Sequence, residues 1–294
     1  MFVGHALLAF ALVGGAVGLL RDRRTGLQLG LVAGAFAAVP DVDMSYALVG
    51  LLGVDGGAFA AASAFWAAST LVHRAVTHSI LVAPVVATLA GVWVYSRRRP
   101  NRIAPGLGAV LAVFLFAAVA AAEVVVRASR LSATTTFGAA LVGLVSHPFG
   151  DMVTGHPPAL LYPLEATVVT ERVALHADPT LHLLGAFAVE LGAIWAGVFT
   201  LCWLLERPVR PMLNLRPVVG AGYAAAALVI PAPTLDLSYP FVFSVLAVGT
   251  VGAVPRFRLP RRVELPNAAD AAVTGLTAVT VAAVAYTVAY LVVL

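Results

Sequence analysis

Long apolar runs, separated by short clusters of arginine, proline and polar residues, dominate the chain. They lie near residues 2–20, 27–39, 57–72, 79–96, 105–126, 136–155, 183–205, 217–231, 240–254 and 271–294. A helix needs about 20 apolar residues to cross a bilayer core about 30 Å thick, and many of the runs approach that length. The short alternating strands of a membrane β-barrel are missing from the sequence. The pattern predicts an all-α, multi-pass transmembrane bundle of about eight to ten hydrophobic segments, some of them re-entrant.

Composition supports the same class. Hydrophobic residues make up 61% of the 294 residues, charged residues only 11%, and the mean hydropathy is +0.97. These values exclude an ordinary soluble domain and make the lipid bilayer the main partner. All 18 basic residues are arginine, which we ascribe to codon bias rather than to nucleic-acid binding. We therefore expect a multi-pass protein of the plasma membrane that does not bind nucleic acid.

Chemistry-bearing residues are concentrated in the first part of the chain. Nearly all histidines and acids inside apolar runs precede residue 170, whereas the later runs are joined by arginine- and proline-bearing loops. We predict a membrane-embedded functional domain over 1–170 and C-terminal transmembrane helices of unknown role over 171–294. The single cysteine, Cys202, lies in an apolar run, so the chain alone builds neither a disulfide framework nor a thiolate metal site.

Arginine placement suggests an orientation, because basic residues near helix ends are retained in the cytoplasm. We assign the arginine clusters that follow the first and fourth runs, and the arginines beyond residue 205, to the cytoplasmic side. The scheme leaves Arg127, Arg130 and Arg172 on the other side. It requires 44–72 to be a re-entrant hairpin, and 136–155 to enter and return with a break at Pro148.

Four polar clusters interrupt the apolar runs of the first part. They are His5, the PDVD stretch at 40–43, the HRAVTHS stretch at 73–79, and His147 with Asp151 in SHPFGDMVTG. An unpaired polar group costs several kcal/mol in hydrocarbon, so ionisable residues at these places need partners or a function. One such residue alone is as well explained by helix-to-helix hydrogen bonding, whereas the whole set favours a shared site.

Spacing narrows the chemistry. Residues four apart share a helix face, so His147 and Asp151 can hold one metal ion. His73 and Thr77 share a helix face, whereas His78 points about a third of a turn away, so the two imidazoles need not bind the same ion. In one interpretation, one imidazole is a ligand and the other is an acid, a base or an outer partner. The carboxylates of Asp41 and Asp43 follow Pro40 in a turn-like stretch and can converge on a cation.

A histidine and carboxylate set without thiolate suits one or two zinc ions, with manganese or iron as alternatives. Such an ion lowers the pKa of bound water towards neutrality and supports hydrolysis of an ester or phosphoester. Arg74 is a candidate clamp for a phosphate group.

Other polar residues receive different interpretations. We expect Glu123 and Arg127 to form an interfacial ion pair four residues apart. Glu190, with His182 two turns earlier, is a candidate for an additional ligand or a wall of the cavity; the alternative is a purely structural role. His156, His176 and Asp178 are expected in loops.

The chain resembles the YdjM-like family of membrane-bound, predicted metal-dependent hydrolases. The resemblance rests on GHALLAF at 4–10, PDVD at 40–43, HRAVTHS at 73–79, LVGLVSHPFGDMVTG at 141–155 and LLYP at 160–163, which agree in order and spacing over about the first 165 residues. The chain departs from the family pattern at Met44, where histidine is common, and at Ala75, where glycine is common. The ligand pattern is also similar to that of zinc-dependent phospholipase C enzymes, which favours phosphoester substrates.

The resemblance implies a metal-dependent site. The residues implied are His5, Asp41, Asp43, His73, His78, His147 and Asp151. We assign His73, Arg74 and Asp43 to catalysis, and His5, Asp41, Asp43, His78, His147 and Asp151 to the metal. The leading hypothesis is a membrane-bound metal-dependent hydrolase acting on a phosphoester or lipid-linked substrate. The alternative is an ion or proton transporter or channel-like protein that uses the same cluster.

Overall fold

The computed structural model describes residues 2–52, 54–72, 76–98, 116–153, 157–164, 166, 168–209, 214–258 and 262–293. The helices in this part of the chain are α1 (Phe2–Leu20), α2 (Arg23–Ala37), α3 (Ala58–Val72), α4 (Val82–Arg98), α5 (Phe116–Ala128), α6 (Ala133–Asp151), α7 (Pro179–Leu204), α8 (Tyr239–Val248) and α9 (Ala268–Val293). The 3₁₀ segments are Pro40–Leu51, Val76–His78, Arg216–Leu228 and Gly249–Ala253. The predicted all-α bundle is confirmed.

Strand structure in the described residues is limited to one short hairpin. Strand β1 (Arg256–Arg258) pairs antiparallel with β2 (Arg262–Glu264), so that Phe257 lies opposite Val263. This hairpin lies in one of the arginine-rich connections and does not alter the helical class of the fold.

Four described helical stretches are long and apolar enough to cross a membrane. They are Val3–Leu20, Arg23–Val42, Pro179–Leu204 and Ala268–Val293, and shorter apolar helices occur at Ala58–Ala68 and Tyr239–Ala253. Each described α-helix overlaps one of the predicted runs, but the run at 217–231 forms a 3₁₀ segment, and the count of eight to ten spanning segments is not confirmed.

The chain divides into two compact units. The first comprises Met1–Val173 with Gly192–Arg207, and the second comprises Ala174–Leu191 with Pro208–Leu294. The first unit packs α1, α2, α4, α5 and α6 around a core of small and branched residues, including Ala33, Phe36, Ala87, Val94 and Ala140. The core of the second unit is more aromatic and centres on Phe241 and Tyr286. The functional boundary predicted near residue 170 stays a prediction.

Side-chain caps explain where several helices begin. Asp22 accepts a hydrogen bond from the backbone N–H of Thr25 at 2.8 Å, and this bond holds the pKa of the Asp22 carboxyl below its usual range. Ser132 accepts one from the N–H of Thr135 at 3.2 Å at the start of α6. Each cap satisfies an N–H that the first helical turn leaves without a partner.

Helix α6 is continuous through Pro148 and ends at Asp151. The predicted break at Pro148 is therefore wrong. The proline lies in the last turn, where the missing N–H removes one backbone hydrogen bond near the helix end instead of disrupting its middle. His147 and Asp151 consequently share one face of a single helix, as their spacing predicts.

The predicted ion pair between Glu123 and Arg127 is confirmed, with Oε1 and Nε 2.9 Å apart. Glu123 has two further partners, both from α4, that the sequence did not predict. Arg97 Nε donates to the Glu123 carboxylate at 3.2 Å, and Trp93 Nε1 donates to it at 3.0 Å. Arg97 and Arg127 therefore lie at the same end of the first unit. The predicted assignment of Arg127 to the side opposite Arg97 is wrong, since both bind one carboxylate.

Candidate metal centre

Five of the predicted site residues meet in the first unit. His5 comes from the start of α1, Asp41 follows α2, His78 precedes α4, and His147 and Asp151 come from the last turns of α6. All five side chains are buried, and His78 and His147 are fully inaccessible to solvent. Helix packing, rather than one local motif, therefore assembles the cluster.

Two overlapping groups in the cluster have metal-binding geometry. One consists of His5, His147 and Asp151, and the other of Asp41, His78 and His147. Within each group the candidate ligand atoms lie within 4.8 Å of one another. His147 belongs to both groups and is the centre of the arrangement.

The distances around His147 Nε2 resemble the edges of a metal coordination shell. This atom lies 3.1 Å from His78 Nε2, 3.4 Å from Asp41 Oδ1 and 3.5 Å from Asp151 Oδ2. His78 Nε2 lies 3.0 Å from Asp151 Oδ2. Zinc bonds of about 2.0–2.1 Å place neighbouring tetrahedral ligands about 3.3 Å apart. The distances from His147 Nε2 to His78, Asp41 and Asp151 are therefore those expected between neighbouring ligands of a small divalent ion.

Hydrogen bonding fixes which nitrogen of His147 faces the cluster. Nδ1 lies 2.6 Å from the carbonyl oxygen of Ala37, which can only accept, so Nδ1 carries the proton and donates it. In the neutral ring, Nε2 is then left with a lone pair that points at the other candidate ligands. Metal-binding histidines are commonly oriented by a carbonyl or carboxylate in this way.

His78 has a similar outer contact. Its Nδ1 lies 2.9 Å from the hydroxyl oxygen of Thr77, while its Nε2 faces His147 and Asp151. Thr77 belongs to the HRAVTHS motif, but no pattern in the motif predicts a separate role for its hydroxyl group. When the hydroxyl accepts from Nδ1, the Nε2 lone pair is directed into the cluster.

The two aspartates bring negative charge into a buried site. Asp41 Oδ2 is buried and has no hydrogen-bond partner in the part of the chain that the structure describes. Asp151 Oδ1 lies 3.1 Å from His5 Nε2, and its Oδ2 faces His78 and His147. Two buried carboxylates beside neutral imidazoles are expensive without a compensating cation. The residues present thus fit a divalent ion in both charge and donor type.

Close backbone approach allows the cluster to form. A Cβ at Gly143 of α6 would overlap the carbonyl oxygen of Ala33 and lie 3.0 Å from the backbone nitrogen of Ala37, so α2 and α6 touch there. A Cβ at Gly150 would overlap the ring of His5. The first glycine brings Ala37 to His147, and the second leaves room for His5 beside Asp151.

Ser79 ties the cluster to a neighbouring loop. Its hydroxyl donates to the carbonyl oxygen of Tyr162 at 2.7 Å and lies 3.2 Å from that of Leu160. It also accepts from the backbone N–H of Leu81 and of Val82 at the start of α4. These contacts link the THS and LLYP stretches and place His78 beside the start of α4.

Other predicted residues are placed elsewhere or lie outside the description. His73 and Arg74 lie outside the described residues, as does the side chain of Asp43, so their catalytic assignments stay predictions; His156 also lies outside them. His182 and Glu190 belong to the second unit, where His182 Nδ1 accepts from the N–H of Leu175 at 3.0 Å. Asp178 caps α7 through the N–H of Leu181 at 2.8 Å, and His176 is exposed beside it.

Comparison with known proteins gives one family match. The family model described as YdjM inner membrane protein matches residues 1–212, more than two thirds of the chain and every residue of the cluster. This match confirms the resemblance carried by the motifs. No curated protein and no solved structure matches the chain. The family and the apolar helices together fit a multi-pass protein of the plasma membrane.

Proposed function

We propose that this chain, which belongs to the YdjM family of inner membrane proteins, is a metal-dependent hydrolase whose substrate is a phosphoester. One observation carries the proposal. The Nε2 atoms of His78 and His147 face each other at 3.1 Å in a buried site that also holds the carboxylates of Asp41 and Asp151. A divalent cation satisfies all four groups, and zinc is the ion that this donor set suits best.

We favour one ion over two. His147 is shared by both possible ligand groups, and its Nδ1 is already engaged by the Ala37 carbonyl. A single Nε2 lone pair binds one ion. The two groups are therefore alternative descriptions of one centre, with His5 on its outer side against Asp151.

A divalent ion bound here would supply a water that loses a proton near neutral pH and would polarise the ester bond that is hydrolysed. The protein's own residues have separate tasks. His147 and His78 would hold the ion through Nε2, and their Nδ1 atoms are kept in place by Ala37 and Thr77. His5 Nε2 donates a hydrogen bond to Asp151 Oδ1, and this bond orients the carboxylate towards the other ligands. Arg74 is proposed to bind the phosphate oxygens.

Hydrolysis by purified protein tests the proposal. We expect turnover of a chromogenic phosphomonoester or phosphodiester that falls to less than about 1% after removal of metal, because the ion generates the nucleophile. Added zinc should restore it. The same preparation, reconstituted in liposomes, should not move protons or metal ions. Metal-free protein that conducts ions and hydrolyses nothing would contradict the hydrolase and support the transporter alternative.

A further inference from the structure

The first unit has two chemically different ends. The cluster is built from the beginning of α1, the residues after α2, the residues before α4 and the end of α6. The opposite ends of these four helices must therefore lie together on the far side of the unit. His5 and Leu20 are separated by about 22 Å along α1, since a helix rises 1.5 Å per residue.

Arginines collect at that far end. Arg23 Nη1 lies 2.5 Å from Glu206 Oε1, which joins the α1–α2 turn to the end of α7. Arg98 Nη2 donates to the carbonyl oxygen of Ser129 at 3.0 Å, which joins the end of α4 to the residues before α6. The arginines grouped there are Arg21, Arg23, Arg24, Arg97, Arg98, Arg127, Arg130 and Arg207.

The end that holds the cluster carries far fewer cations. Among the described residues of the first unit, only Arg172 is an arginine at this end, placed there because the N–H of Val173 donates to the carbonyl oxygen of Met152 at 2.8 Å. Arg74, in the motif itself, lies outside the described residues. Arginines near helix ends are retained in the cytoplasm. Among the described residues, eight arginines at the far end against one at the cluster end is therefore a strong asymmetry.

We infer that the metal centre opens towards the extracytoplasmic face and takes its phosphoester from that side of the membrane. This inference rests on the proposed function for the identity of the substrate, but not for the orientation of the unit. The arginines then lie at the cytoplasmic interface of a hydrocarbon core about 30 Å thick. His5, about 22 Å further along α1, lies within this core and close to its extracytoplasmic boundary. A group attached to a lipid headgroup of the outer leaflet, or carried by a soluble molecule on that side, reaches this depth most directly.

Two matched cysteine variants test the orientation. Ala166→Cys lies in the exposed loop that Ser79 and Met152 hold at the cluster end, and Ala128→Cys lies on the exposed last residue of α5 at the arginine end. Both are made in a Cys202→Ser background. In intact cells, a membrane-impermeant maleimide should label Ala166→Cys at least about 10-fold more than Ala128→Cys. Permeabilisation should make the two equal. The reverse ratio, or equal labelling before permeabilisation, would overturn the orientation.

Oriented vesicles test the source of the substrate. Right-side-out vesicles should hydrolyse either p-nitrophenyl phosphate added to the bath or a short-chain fluorescent phospholipid placed in the outer leaflet. Hydrolysis of the first probe indicates a soluble substrate, and hydrolysis of the second indicates a lipid substrate. Hydrolysis confined to inside-out vesicles would overturn the inference. Absence of hydrolysis in both orientations, with the expected thiol labelling, would contradict the proposed function and leave the orientation standing.

Discussion

Replacing His147 with alanine should lower the affinity of the purified protein for zinc by more than about 100-fold. Partners outside the ligand shell are typically worth about 10–100-fold in metal affinity, and a direct ligand should be worth more. His147 is also shared by both groups of candidate ligands, so no neighbour replaces it. Competition with a chromogenic chelator, read by absorbance, measures the change.

A matched control separates loss of a ligand from loss of a histidine. His176 is exposed, belongs to the second unit, and its Nδ1 accepts from the N–H of Asp178 at 2.9 Å. His176→Ala should keep the zinc affinity of the natural protein within about 3-fold. His147→Ala should still insert in the membrane and elute as the natural protein does, because lipid burial of the helices does not depend on the ion. Equal affinities for the two variants would place the metal elsewhere.

Replacing Gly143 with alanine should damage both the fold and the site. The new methyl group would meet the backbone of Ala33 and Ala37 on α2, which cannot rotate away as a side chain would. Overpacking of this kind typically costs about 1–3 kcal/mol. Separation of α2 from α6 would also pull the Ala37 carbonyl away from His147 Nδ1. We expect a lower melting temperature in detergent together with weaker zinc binding.

Gly138 offers a control in the same helix. A Cβ at Gly138 meets nothing within 4 Å among the described residues, so Gly138→Ala has room. Alanine is a better helix former than glycine by about 1 kcal/mol, and the variant should melt at the same or a higher temperature. Comparable destabilisation by the two substitutions would mean that the contact between α2 and α6 is not what Gly143 provides.

The fold followed from sequence because its elements are long and locally encoded. Apolar runs predict α1, α2, α7 and α9 well, since a bilayer-spanning helix carries a strong signal over about 20 residues. The number of membrane crossings could not be predicted from the sequence. Runs such as 217–231 are apolar, yet Arg216–Leu228 is a 3₁₀ segment, and hydrophobicity does not distinguish a spanning helix from such a structure.

The site followed from sequence only in part. The spacing of His147 and Asp151 correctly indicates a shared helix face, because this relation is local. Contacts between distant segments had no such signal. The carbonyl of Ala37 is a backbone group that any residue would present, and the role of Thr77 depends on where His78 is placed by helix packing. The membrane side of Arg127 was also misassigned, because the Glu123 carboxylate that Arg127 binds is shared with Arg97 from another helix.

Metal content is the most direct test of the account. Protein purified without added metal or chelator, beside an Asp151→Ala variant, should be analysed by inductively coupled plasma mass spectrometry. Asp151 contacts His5, His78 and His147, so its loss disrupts the whole centre. We expect about one zinc ion per natural chain, as one coordination shell allows, and less than about one tenth of that in the variant. Natural protein without bound divalent metal, or a variant with the same metal content as the natural protein, would contradict the metal centre.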